Sequence, residues 1–179
     1  MIVYVADSIH SINIEVRSRK SPEKAREVAL KLGDKIISEV KSLAESKFST
    51  EDLSKIRYAR WDELHTSEYQ DKLVYFNKKY ETDVNFKNHI IGLVDGFTKN
   101  KGRNFSQEDK VKLGSYVVAE FPEILTRTPI NSWTLDAYAY PFDGALPEFI
   151  ENIQKGVIFP EIKENVMDTE PKVFMEVRE

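Results

Sequence analysis

"GSYVVAEFPEIL", residues Gly114–Leu125, sets Tyr116 and Glu120 four apart on a helical face otherwise made of Leu113, Val117 and Ile124, and then meets Pro122. At 100° per residue the tyrosine and the glutamate lie about 40° apart, so both side chains share one stripe. A carboxylate on an apolar stripe costs several kcal/mol unless something pairs with it. Either a partner waits for Glu120, or the proline ends the helix and turns the glutamate to solvent. Because the residue before a proline avoids the helical region, the helix is expected to end near Phe121.

Outward from this helix, the chain reads as strands alternating with helices. "IVYVA" (residues 2–6) is a short β-branched and aromatic run, hence a buried strand. After a loop, "SPEKAREVALKLGDKIISEVKSLAES" opens with Ser21 as N-cap, Pro22 at the first helical position and Glu23 in the first turn. Ala25, Leu32, Ile36, Val40 and Leu43 form its expected apolar face. "IRYARW" (56–61) is a second strand, and residues 66–99 form two helices or one bent helix. Ser106, followed by Gln107, Glu108 and Asp109, caps the helix that carries the opening stretch. "SWTLDAYAYP" (132–141) is a strand stopped by proline, "GALPEFIENIQKG" a short helix and "KVFMEV" a last strand. The alternation predicts an α/β fold with a mostly parallel sheet flanked by helices. With 179 residues and neither a linker nor a repeat, residues 1–179 read as a single domain.

Composition removes several classes of function. The absence of cysteine excludes disulfides, thiolate zinc sites and cysteine nucleophiles, and makes a reducing cytoplasm the expected setting. His10, His65 and His89 are scattered without metal-ligand spacing, so no metal is expected. The seven glycines never cluster into a phosphate-cradling loop, and no nucleotide cofactor is expected. "NHIIGL" around His89 has only a faint likeness to the ATP-binding signature of class I aminoacyl-tRNA synthetases, and its partner lysine–serine motif is absent. No apolar run approaches the ~20 residues of a membrane span. At a net charge of −4, any nucleic-acid contact needs a local basic patch. Lys24, Lys31 and Lys35 offer one, projecting within about 40° of one another beside the helix's apolar face. Glu27, Asp34 and Glu39 are interspersed, so a plain solvated face is the alternative.

A second cluster lies in "DAYAYPFDG", where Tyr138, Tyr140 and Asp143 fall at a strand end, the place where α/β sheets present ligand-binding groups. "YVVAEFP" followed by "YAYPFD" resembles the tRNA-dependent cyclodipeptide synthases, in which a tyrosine and a glutamate four apart precede a proline, and a strand ending in tyrosine plus histidine or proline follows. Pro141 places the resemblance with the proline branch. "IVYVADSIH", the basic helix, "SEY" at Tyr69 and the final strand keep the family's order across essentially the whole chain.

The resemblance implies a Rossmann-like sheet similar to the class I synthetase catalytic domain. It also implies diketopiperazine synthesis without ATP, from two aminoacyl-tRNAs, through a ping-pong aminoacyl-enzyme on a serine. By the same resemblance Tyr116 and Glu120 hold the substrate's α-amino group, Tyr140 assists proton transfer, and Tyr69, Tyr138 and Asp143 line the substrate pocket. Glu123 borders the first aminoacyl side chain, Lys24, Lys31 and Lys35 contact tRNA, and the complete enzyme is expected to be a monomer. One departure stands out: the family's serine precedes the "IVYVA"-like strand, and neither Ser8 nor Ser11 matches it. The chain is therefore expected to be N-terminally incomplete, to lack the first central strand and to be inactive alone. A non-catalytic aminoacyl-tRNA-binding relative and an unrelated α/β interaction domain are the other readings.

Overall fold

A computed structural model describes residues 2–99, 104–125 and 145–166, together with the backbone of four short strands between 129 and 176. It forms two compact units, residues 1–65 and 66–179. The first unit holds β1 (Ile2–Val5), α1 (Ser11–Ser18), α2 (Pro22–Lys47), α3 (Thr50–Leu53) and β2 (Arg57–Arg60). The second holds α4 (Ser67–Thr82), α5 (Val84–Lys99), α6 (Gln107–Leu125), β3 (Pro129–Ile130), β4 (Trp133–Thr134), β5 (Ala137–Tyr140), α7 (Ala145–Lys155), α8 (Pro160–Asn165) and β6 (Val173–Glu176). The architecture is α/β and mostly helical. β1 pairs in parallel with β2, β5 pairs in parallel with β6, and β3–β4 is a small antiparallel pair. Among the described pairings each sheet has two strands and lies within its own unit.

In the first unit, helix α2 begins as its sequence dictates. Ser21 is extended and its hydroxyl accepts the Lys24 amide, with Pro22 in the first turn. The segment before it is not a loop. It carries a single helical turn at Ser8–His10 and then α1, whose cap, His10, makes no side-chain capping bond. The buried face of α2 also differs from the expected one. Ala25, Ala29, Gly33 and Ala44 are buried, whereas Leu32, Ile36 and Leu43 are roughly half exposed.

Close approach explains this choice of small residues. Asp7, at the end of β1, is 3% exposed, and a Cβ on Gly33 would lie 2.5 Å from its own Cβ. The Asp7 carboxylate accepts hydrogen bonds from the backbone amides of Ser8 and Trp61 and from the Arg60 guanidinium, which also engages Asp34. One buried charge thereby ties together β1, the end of β2 and α2.

The second unit has the larger core. Phe121 of α6, fully buried, stacks or meets edge-on the rings of Phe76, Phe86 and Phe149, with centroids 5.4–6.0 Å apart. Residues 66–99 divide into two helices at Asp83. Its amide closes α4 on the Lys79 carbonyl, and its carboxylate caps α5 through the Asn85 and Phe86 amides. Lys79, almost buried, bonds Asp83 and Glu161 and lies over the rings of Phe86 and Phe159. At the start of α6, Ser106 and Asp109 each accept the other's amide, a reciprocal cap.

The end of α6 corrects an expectation. The helix runs through Pro122 to Leu125. Proline in a helix costs ~3 kcal/mol through the lost amide and the clash with the carbonyl four residues back. Phe121, Ile124 and Leu125 are each 0% exposed, and burying such side chains contributes about 1.5–3 kcal/mol apiece. Packing therefore outweighs the break. Gly114 lets α6 approach α4, because a Cβ there would lie 2.2 Å from the Tyr80 hydroxyl.

Two glycine substitutions test these contacts in opposite directions. Gly33→Ala should lose about 1–3 kcal/mol by overpacking against Asp7. Gly92→Ala, on an open face of α5 with nothing within 4 Å of the new Cβ, should gain up to ~1 kcal/mol of helix propensity. Urea denaturation of the two variants measures both signs.

Candidate active site

Tyr116, Glu120 and Glu123 fall at i, i+4 and i+7 of α6, within about 60° of one another on its surface. The Tyr116 hydroxyl donates to Glu120 Oε1 at 2.7 Å. Glu120 is 7% exposed and Glu123 is 1% exposed. Continuation of the helix through Pro122 holds both carboxyls inward and does not release them to solvent.

Burial pushes the Glu120 carboxyl up to about 7, against the opposing pull of the Tyr116 hydroxyl. No cation is paired with it among the described residues. A carboxyl titrating near neutrality is poised to accept a proton at one step and return it at the next. It is equally suited to a cationic partner, which would restore its charge. A free α-amino group, titrating at about 7.7–8.0, would match it in acidity.

Tyr69, at the start of α4, is 1% exposed, and its hydroxyl donates to the Ala119 carbonyl at 2.9 Å. Its described hydroxyl contact is therefore with the backbone beside Glu120. Sequence spacing gave no signal of this, because the partners are 50 residues apart.

Tyr138 and Tyr140 lie in β5, opposite Phe174 and Glu176 of β6. Their side chains, and all of Asp143, lie outside the described residues. Tyr140 is thus located by its backbone alone.

The lysines expected to meet tRNA sit on the exposed surface of α2, in the first unit. Glu27 accepts from Lys24 at 2.6 Å and from Lys31 at 2.8 Å, and Lys35 faces Glu39 at 3.7 Å. Those two hydrogen bonds, Lys24 first, hold the Glu27 carboxyl down to about 2, and Glu27 in turn raises Lys31. The patch is a lattice of exposed ion pairs. No group of three or more potential metal ligands exists among the described residues, and no described helix is long and apolar enough to cross a membrane.

A mostly helical α/β fold with short parallel strand pairs and a buried Tyr–Glu pair on one long helix defines the class within which solved structures are found. No protein-family model and no curated protein matches the sequence. A CDPS from Staphylococcus haemolyticus matches with a TM-score of 0.72 at 21% identity, over 98% of this chain and 75% of its own. A CDPS from Fluoribacter dumoffii gives a TM-score of 0.69 at 18% identity, over 99% and 74%. AlbC, a cyclodipeptide synthase from Streptomyces noursei, gives 0.65 at 17%, over 99% and 80%. The chain thus shares the fold of cyclodipeptide synthases along nearly its whole length.

The raised acidity constant has a signed consequence for stability. The folded state keeps the Glu120 proton up to about pH 7, whereas an unfolded chain releases it near 4.5. Between those values the native state binds more protons, so stability falls as pH rises, and the full penalty is present above pH 7. Glu120→Gln removes the penalty. Its stability relative to wild type should therefore improve from pH 5 to pH 8 by up to roughly 3 kcal/mol, at 1.36 per unit. Denaturant midpoints at the two pH values check this, and a flat difference would contradict the buried-carboxyl assignment.

Proposed function

We propose that this protein makes cyclodipeptides from two aminoacyl-tRNAs, with Glu120 and Tyr116 holding and deprotonating the α-amino group. The observation that carries the reading is a carboxyl buried on α6, bonded by Tyr116 and titrating near 7, in a chain that shares the cyclodipeptide synthase fold. Residues 1–179 form a single domain in this proposal, in the cytoplasm.

The chemistry needs no activation step, since each aminoacyl ester on tRNA is already reactive. In the ping-pong scheme the first aminoacyl group passes to a serine. The first amine, held as ammonium against Glu120, loses a proton to the carboxylate and attacks the second ester. An amide forms and the tRNA 3′ oxygen leaves, taking up a proton. The newly freed amine then attacks the serine ester and closes the ring. Going from ammonium to amide removes two protons from nitrogen: one ends on the departing oxygen and the other passes through Glu120 to solvent, a transfer that a carboxyl with a midpoint near 7 can mediate. Tyr140 is assigned the relay at ring closure, and Tyr138 and Asp143 the pocket wall.

Glu123 is assigned to the wall around the first aminoacyl side chain. A carboxylate there selects a cationic side chain and disfavours leucine or phenylalanine. Lys24, Lys31 and Lys35 are assigned to tRNA phosphates, which must displace Glu27 and Glu39 to reach them.

Expression from the native reading frame, with whatever in-frame codons precede Met1, lets host charged tRNAs supply substrate. Mass spectrometry should then find diketopiperazines, and their absence would overturn the reading. Glu120→Gln should lose ~10²–10⁴-fold in yield, the range of a general acid–base group. Lys31→Ala, one ionic contact, should lose only a few-fold. Equal losses would remove the distinction between the roles.

Products should contain a lysine- or arginine-like residue. Glu123→Leu should move the product spectrum toward apolar side chains, and an apolar spectrum from the wild type would refute the role of Glu123.

A further inference from the structure

We infer that Tyr69 is a positioning residue: through its hydrogen bond to the Ala119 carbonyl it fixes the peptide plane that carries Glu120, and so the aim of the Glu120 carboxyl. The Ala119 carbonyl and the Glu120 amide nitrogen belong to one rigid planar unit. Rotation of that plane swings the Cα–Cβ bond of Glu120 directly.

The plane lies next to a break in the ladder made by Pro122. A proline has no amide proton for the carbonyl four residues back, so the carbonyl of Val118 is released from the ladder, and the proline ring crowds it. The adjoining plane, 119–120, sits beside this gap. Tyr69 supplies a donor to it at 2.9 Å from a ring that is 1% exposed. The base of α4 is itself fixed there, because the Thr66 hydroxyl caps the helix by accepting the Tyr69 amide. On the other side of the plane, Phe121 is locked among three aromatic rings. The side chain of Glu120 is thus aimed by a hydrogen bond on one side and ring packing on the other. What the aim secures is the 2.7 Å bond from the Tyr116 hydroxyl.

Among the described residues Tyr116 is the titratable group bonded to Glu120; Glu123 shares its helical stripe, and the Tyr69 hydroxyl of α4 bonds the adjoining Ala119 carbonyl. On the helices packed against α6, several described cations are engaged elsewhere, Lys87 over the Tyr80 ring among them. Lys72 bonds Glu68, Lys79 bonds Asp83 and Glu161, and Lys155 bonds Glu151, while Asp95 of α5 binds Lys110 at the far end of α6.

For the enzymatic consequence the inference rests on the proposed synthase reaction, but its test does not. The full chain, labelled with ¹³C at glutamate carboxyls and alanine carbonyls, is titrated by NMR, with the Glu120 signal assigned by its loss in Glu120→Gln. In Tyr69→Phe the Ala119 carbonyl signal should report the lost donor, and the Glu120 midpoint should rise as its Tyr116 bond weakens. Tyr116→Phe sets the ceiling, a rise of roughly one unit for a hydrogen bond to a charged group. Added to Tyr116→Phe, Tyr69→Phe should then have no further effect. The Tyr69→Phe effect should also shrink in a Pro122→Ala background, where the neighbouring Val118 carbonyl regains its donor and stiffens this turn. A Glu120 titration identical in wild type and Tyr69→Phe overturns the inference; where Tyr69→Phe alone fails to fold, the comparison is made in the Pro122→Ala background, and a midpoint identical there with and without the hydroxyl of Tyr69 overturns it likewise. Loss of stability with an unmoved Glu120 midpoint also overturns it, leaving Tyr69 a packing residue. A shifted midpoint in a protein that yields no diketopiperazine upholds the positioning role and removes the proposed reaction. In an active enzyme Tyr69→Phe should lower kcat with little change in KM.

Discussion

Ionising Glu120 means placing a charge in a buried position. Burial raises its carboxyl to about 7, and one tyrosine hydroxyl pulls the other way. Phe121, the next residue, anchors the aromatic cluster that makes the interior apolar. That cluster, with Ile124 and Leu125, also carries α6 through a proline that would otherwise end it. The packing that forces the helix onward is therefore the packing that resists charge on Glu120. A helix ending near Phe121 would leave the same glutamate exposed and ordinary. The poised carboxyl and the proline-containing helix are two results of one core.

Much of the fold was legible because its signals are local. Ser21 with Pro22 marks the start of α2, Ser106 with Asp109 the start of α6, and both caps form within four residues. The division of residues 66–99 follows from Asp83, whose carboxylate caps the helix after it. The strands at 2–5, 57–60 and 173–176 fall within the runs that predict them, whereas the single strand expected over 132–141 is described as two short strands, 133–134 and 137–140, with different partners. The pair Tyr116–Glu120 was legible for the same reason, being one helical turn apart.

What the sequence hid depends on residues far apart in the chain. Asp7 meets Trp61 and Arg60 across more than fifty residues, and Gly33 is small because Asp7 stands against it. An apolar wheel for α2 selects Leu32, Ile36 and Leu43, since it weighs side chains by hydrophobicity. The fold selects Ala25, Ala29 and Gly33, since a buried ion network at the strand ends requires close approach. The α1 helix was missed because His10 makes no side-chain capping bond and leaves no start signal. The extension of α6 past Pro122 was missed because a local rule about proline carries no information on what Phe121 will pack against.

Glu120 and Glu27 show how far environment separates two identical side chains. Glu27, on the surface between Lys24 and Lys31, is held near 2, and Glu120 is raised to about 7. Near neutral pH the first is always charged and has no proton to give. Its lysines are already neutralised in part, so an incoming phosphate gains only the difference between its own attraction and that of the carboxylate it displaces. Both are exposed ion pairs in high dielectric, where each is worth little, so the exchange is shallow, reversible and weakened by salt. The buried carboxyl behaves in the opposite way. It has no neighbouring cation among the described residues, so an arriving ammonium meets a charge that nothing else has compensated, in a medium that magnifies the attraction. Weak, exchangeable contacts suit a carrier that must leave after delivering its cargo. A strong, proton-matched contact suits the amine that must stay and react.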